Sequence, residues 1–171
     1  MSWSVRIARI KGINIRLHIT FLFIVVLFGI QYWGMEAGGW RGALYGVAYV
    51  LLLFACVVLH ELGHSLVAQR FGVRVRDITL WPIGGVARME EIPRQPWQEL
   101  LMSIAGPAVN FVIAIGLAVL VSLLFGARAL GDLISPSKLM GALTLPSLLL
   151  SLLMTNLGLG LFNLIPAFPM D

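Results

Sequence analysis

The stretch Leu59-His60-Glu61-Leu62-Gly63-His64-Ser65 continues a run, Gly42 to Leu59, that holds no Asp, Glu, Lys or Arg. Read together, they predict a membrane helix over about 42–68. Its ionisable residues, His60, Glu61 and His64, fall in one short window near its end. A charged side chain at the centre of a membrane helix costs about 2.5–3.5 kcal/mol on insertion scales, and is seldom kept without a partner or a function. The window therefore decides both the solvent of the fold, a bilayer, and the place to look for chemistry.

On a helix, residues four apart project from one face, one turn above the other, so the imidazoles of His60 and His64 can grip one metal ion. Glu61, offset by about 100°, can reach a water on that metal. A zinc ion lowers the pKa of bound water towards about 7, and a neighbouring carboxylate can take the proton as a carbonyl is attacked. This residue set at this spacing is that of a zinc peptidase. Two histidines and a water leave one protein ligand to find. His18 reads better as an interfacial histidine at the start of a span, and Cys56 as a small packing residue stacked on the same helix. Asp171 follows a charge-free stretch, Leu139 to Met170, just after Pro166 and Pro169 break a membrane helix. On spacing it is the best third ligand, with an aspartate in water as the rival reading.

The remainder of the chain agrees with a bilayer. Its 171 residues are 59% hydrophobic and 12% charged, with mean hydropathy +0.93, outside the balance of a soluble domain. Further charge-free runs, Leu17 to Met35 and Leu100 to Ala127, are long enough to cross about 30 Å of hydrocarbon as helices. Spans are expected at about 17–33, 42–68, 97–125 and 146–164. Between the second and third, Val73, Val75, Ile78, Leu80, Ile83 and Val86 alternate among polar residues, which predicts short strands, with Pro82 and Gly84-Gly85 at a turn or edge. The expected class is an all-α polytopic membrane protein of about four helices with a small β-hairpin segment at 73–89. Several apolar runs in succession exclude a simple signal peptide, and the lone cysteine excludes an intrachain disulfide. The net charge of +4 needs no nucleic acid to explain it, because the basic residues flank the spans. Arg6, Arg9, Lys11 and Arg16, then Arg70, Arg74, Arg76, Arg88 and Arg94, place the N-terminus and the 70–98 segment in the cytoplasm by the positive-inside rule. The site then lies near the cytoplasmic face, roughly a quarter of the way into the bilayer.

These residues resemble the site-2 proteases, intramembrane zinc metalloproteases of regulated proteolysis. The resemblance is carried by His60-Glu61-Leu62-Gly63-His64 and by the longer stretch Leu161-Phe162-Asn163-Leu164-Ile165-Pro166-Ala167-Phe168-Pro169-Met170-Asp171. Gly12 to His18, Gly84-Gly85 and Ala105-Gly106-Pro107-Ala108-Val109-Asn110 add to it in the family's order. It implies that His60, His64 and Asp171 hold one zinc ion and that Glu61 is the general base. It makes Asn163 a polar group beside the scissile peptide, for positioning or oxyanion contact. Asn110 becomes a polar contact beside the site, with Gly106 and Pro107 allowing close helix approach. For both, packing through small residues and an interhelical amide bond is the competing reading.

The implied substrates are membrane helices, which must unwind to be cut; a strand edge at Gly84 and Gly85 would hold them extended, with a plain surface loop as the alternative. In the family the aspartate is followed by Gly-Gly, further helices and, in relatives with this N-terminal pattern, often nucleotide-binding CBS domains. The expectation is therefore a core of a longer prokaryotic plasma-membrane protease, with any nucleotide binding carried by that missing part. Two other functions use the same residues: a metal carrier or sensor without turnover, and a silent adaptor that binds helices. Glu61 separates them, because a carrier needs ligands but no adjacent base.

Overall fold

The computed structural model describes residues 3–35, 38–82, 84–90, 95–134 and 143–165. The chain opens with two strands, β1 (Ser4–Ile10) and β2 (Ile13–His18), followed by helices α1 (Phe21–Trp33) and α2 (Gly39–Arg70). Strands β3 (Val75–Trp81) and β4 (Gly84–Met89) precede α3 (Pro96–Phe125), a 3-10 segment (Ala127–Ile134) and α4 (Leu145–Asn163). Helices α2, α3 and α4 are long and apolar enough to cross a membrane. α1 is apolar but has 13 residues, about 20 Å of helix.

The N-terminal hairpin corrects the all-α expectation and the start of the first span. Leu17 and His18 belong to β2, and the helix begins only at Phe21. Freedom from charge marks a segment as apolar without distinguishing helix from strand. The period-two order of Ile13, Ile15 and Leu17 against Asn14, Arg16 and His18 is what makes the strand. Lys11 (φ 46°) and Gly12 (φ 88°) form the two-residue turn, the positive-φ pair that matches strand twist in a tight hairpin.

The four strands form one sheet in the order β1-β2-β3-β4, with β2 and β3 parallel and the outer pairs antiparallel. Register pairs Ile15 with Ile78 and Leu17 with Leu80, and Ile78 in turn with Ala87, so one face of the sheet is apolar throughout. That face packs on α2: Ile13, Ile15, Val75, Ile78 and Leu80 share a buried cluster with Phe54, Leu62 and Ala68. The other face carries Asn14, Arg16, Asp77, Thr79 and Arg88. The sheet thus lies along the C-terminal half of α2, where the histidines are. The opposite half of α2 meets α1, α3 packs on both α2 and α4, and a smaller cluster of Val121, Leu149 and Leu150 closes the far end.

α4 begins with a capping box, in which Thr144 and Ser147 satisfy each other's backbone N–H groups. Gly126, at φ 82°, ends α3.

Candidate active site

Position 60 and position 64 lie on the face of α2 that turns inward, and both histidines are buried. Their Nε2 atoms face each other at 3.1 Å. Two nitrogens of one tetrahedral zinc, each about 2.0–2.1 Å from the metal, stand about 3.3 Å apart. The imidazole pair therefore fits a shared zinc ion. His64 Nδ1 lies 2.7 Å from the Met102 carbonyl on α3. A carbonyl only accepts, so Nδ1 carries the proton and Nε2 keeps its lone pair for a metal.

Two glycines make this packing feasible. A Cβ at Gly106 would overlap His64 Nε2, so α3 can approach the imidazole only without a side chain there. A Cβ at Gly63 would stand 2.8 Å from the Ala105 carbonyl oxygen. Glycine in the HELGH stretch and glycine in the Ala105-Gly106-Pro107 stretch are thus two sides of one helix contact. Pro107 is buried in α3 beside Gly106.

Glu61, adjacent to the pair, lines a cavity of about 280 Å³ together with His60, Pro82, Gly84, Gly85, Asn110 and Asn163. Leu53, Phe54, Val57, Leu159 and Phe162 supply its apolar wall, and Thr155 a further hydroxyl. Gly85 pairs with Leu80 and so belongs to the helix-facing side of the sheet. A Cβ on it would stand 2.5 Å from Cγ and 3.1 Å from Oε1 of Glu61. The start of β4 consequently covers the carboxylate directly.

Asn110 is fully buried in α3, and neither polar atom of its amide has a hydrogen-bond partner among the described residues. An amide with donor and acceptor both unused, at a cavity wall, matches the two polar groups of a peptide bond. Asn163, the last residue of α4, lines the same cavity. His60, Glu61, His64, Asn110, Asn163, Gly84 and Gly85 are thus brought together. Asp171 lies outside the described residues. Among the described residues no group of three His, Cys, Asp or Glu side chains is gathered for a metal.

The two other ligand candidates separate from the site. The His18 ring stacks on Trp81 at 3.9 Å and lies 2.7 Å from the Thr20 hydroxyl. His18 follows Leu17 across the register, which puts it on the outer face of the sheet, away from Glu61. Cys56 is a half-buried free thiol. The sequence reading missed the Met102 carbonyl, since a backbone acceptor leaves no trace in residue identity. It also missed the hydroxyl of Thr155, whose partner Tyr49, at 2.8 Å, could be placed only with the helix packing known.

Residues 48–171 match the family model described as Peptidase family M50. The chain is a member of this, the site-2 protease family. It is 44% identical over 172 residues to a zinc metalloprotease of Methanocaldococcus jannaschii, matching along all of this chain and 44% of that protein. It is also 32% identical over 95 residues to stage IV sporulation protein FB of Bacillus subtilis, which covers 54% of this chain and 29% of the relative. Among solved structures, the site-2 protease of M. jannaschii superposes with a TM-score of 0.70 at 41% identity, over 99% of this chain and 68% of that one. This M50 chain spans less than half the length of the M. jannaschii metalloprotease. Family membership makes it a relative of zinc metalloproteases, built around spanning helices with a small sheet laid against them.

Proposed function

We propose that this chain forms the catalytic core of an intramembrane zinc endopeptidase that cuts peptide bonds within or near the membrane helices of protein substrates. The observation that carries the reading is the pair of facing imidazole nitrogens, with Glu61 beside His60 on one cavity wall. His60, His64 and Asp171 are the proposed ligands of one zinc ion. Bound there, zinc supplies Lewis-acid chemistry and makes water nucleophilic near neutral pH. Glu61 accepts the proton of the attacking water and returns it to the leaving nitrogen. Met102 holds His64 in the tautomer that offers Nε2. Asn110 and Asn163 bind the carbonyl and N–H groups of the peptide near the cut, and the apolar wall takes its side chains. The N-terminus and sheet are assigned to the cytoplasmic side by the distribution of arginines, and the membrane to a prokaryotic cell surface.

A helical substrate hides its peptide bonds, so it must be held extended. Among the described residues β4 pairs only with β3, and its start lies over Glu61. A substrate strand added to that edge would pass over the carboxylate. Gly85 serves two needs here, the edge and the clearance above Glu61, so substituting it cannot test the edge by itself. A photo-reactive residue at Val86, which is 52% exposed, should crosslink a membrane substrate trapped on an inactive variant; no crosslink would remove the edge role.

The central test is Glu61→Gln in the full-length protein. Zinc content should stay while cleavage of a transmembrane substrate falls below detection. Cleavage by that variant at the parent rate overturns the general-base assignment. Elemental analysis of Asp171→Ala against the parent then tests the third ligand, with zinc retained at parent occupancy as the result that removes Asp171 from the set.

A further inference from the structure

The N-terminal hairpin has no part in the site, yet its two faces differ in chemistry. Register places Val5 opposite Leu17, Ala8 opposite Ile15 and Ile10 opposite Ile13, so these share the face of the sheet that packs on the helices. Trp3 joins them, because its carbonyl accepts from the Ile19 N–H. Arg6 lies opposite Arg16 and Arg9 opposite Asn14, on the other face. Between Trp3 and Thr20 there is no acidic residue, whereas Arg6, Arg9, Lys11 and Arg16 are all basic.

β2 buries its apolar residues under α2, but β1 projects past the helices. Val5 is 70% exposed, Trp3 65% and Ile10 39%. The apolar face of the sheet thus runs on beyond the described residues that cover it, on the side where the spanning helices lie. The arginines point the opposite way. α1 begins just after β2, so this hairpin stands at the boundary where the chain enters its membrane helices.

We infer that the β1–β2 hairpin sits in the interfacial layer of the bilayer, with Trp3, Val5, Ala8 and Ile10 against lipid chains and Arg6, Arg9, Lys11 and Arg16 on anionic headgroups. Apolar residues on the membrane side and long basic side chains on the other are what an interfacial element requires. Tryptophan at its end suits the same layer. A water-exposed hairpin would gain nothing from the apolar face, and a lipid-chain contact alone would leave the uniform positive charge without a counterpart.

The test uses the full-length chain in a Cys56→Ala background, spin-labelled singly through Val5→Cys, Ile10→Cys, Arg6→Cys or Arg9→Cys. The protein is reconstituted in phosphatidylcholine vesicles with and without phosphatidylglycerol. Labels at 5 and 10 should collide with dissolved oxygen several-fold more than with a water-soluble nickel chelate, and labels at 6 and 9 the reverse. Quenching of Trp3 by brominated lipid, taken as the difference from Trp3→Phe, gives the same answer without labels and should increase when phosphatidylglycerol is present. Labels at 5 and 10 that meet the nickel chelate overturn the proposal, as do labels shielded from both probes, which would mean a second copy or further protein covers the face. Equal Trp3 quenching with and without phosphatidylglycerol overturns the anionic-headgroup part.

Discussion

The two halves of α2 solve the problem of polar groups in a membrane in opposite ways. In the N-terminal half, Tyr45 meets the Ser147 hydroxyl at 3.1 Å and Tyr49 the Thr155 hydroxyl at 2.8 Å. Both tyrosine hydroxyls there have a mate on α4, which ties the two helices together. In the C-terminal half, His60 and His64 turn their nitrogens to each other, Glu61 faces a cavity, and Asn110 across from them has both amide atoms unpartnered among the described residues. A polar group buried without a partner costs about 1–3 kcal/mol. The first half uses hydrogen bonds to hold helices together. Beside the second, Asn110 of α3 carries a cost of that kind, which a bound peptide would relieve.

If that contrast is correct, disturbing the second half should affect metal and turnover before stability. The largest effect is expected from Gly106→Val, which drives a side chain into His64 Nε2. Zinc affinity should fall about 100-fold, read by chelator competition. Gly116→Val makes the same change on the same helix, where an added Cβ meets nothing within 4 Å, and should leave zinc binding at the parent value. Equal losses in the two variants would show that the effect comes from the helix and not from the imidazole.

Asn110→Leu should move stability and activity in opposite directions. Removing an amide with no partner should raise unfolding stability in detergent by about 1–3 kcal/mol, provided the leucine fits without strain. Cleavage of a membrane substrate should drop, because the peptide loses a polar contact. A variant that loses both would mean that Asn110 is a structural amide.

How much of this was legible beforehand depends on the kind of signal. His60, Glu61 and His64 could be read because their pattern is local: helix geometry alone puts i and i+4 together. The helices α2, α3 and α4 followed from long charge-free runs. The N-terminal hairpin escaped because Leu17 and His18 begin such a run, and an apolar count does not resolve period two from period 3.6. The roles of Gly85 and Gly106 needed the tertiary contact, since a glycine says only that space is short somewhere. In Gly85 the strand-edge reading and the clearance over Glu61 coincide at one residue, and only the register of β4 against β3 separates them.

The smallest effect should come from the first half of α2, and it is the sharpest check on the contrast. Tyr49→Phe removes one hydroxyl and leaves the Thr155 hydroxyl, which also bonds the Ser151 carbonyl, with a remaining partner. The cost in stability should be about 0.6 kcal/mol and not above roughly 1.7, the range measured for interhelical hydrogen bonds in a membrane. Thr155→Val should cost a similar amount, and the double variant less than the sum, because the two hydroxyls share one bond. Zinc affinity should stay at the parent value in Tyr49→Phe. Should it fall as far as in Gly106→Val, the hydroxyl pair would be setting the position of α4 at the metal, and the two halves of α2 would be one machine, not a fastener beside a site.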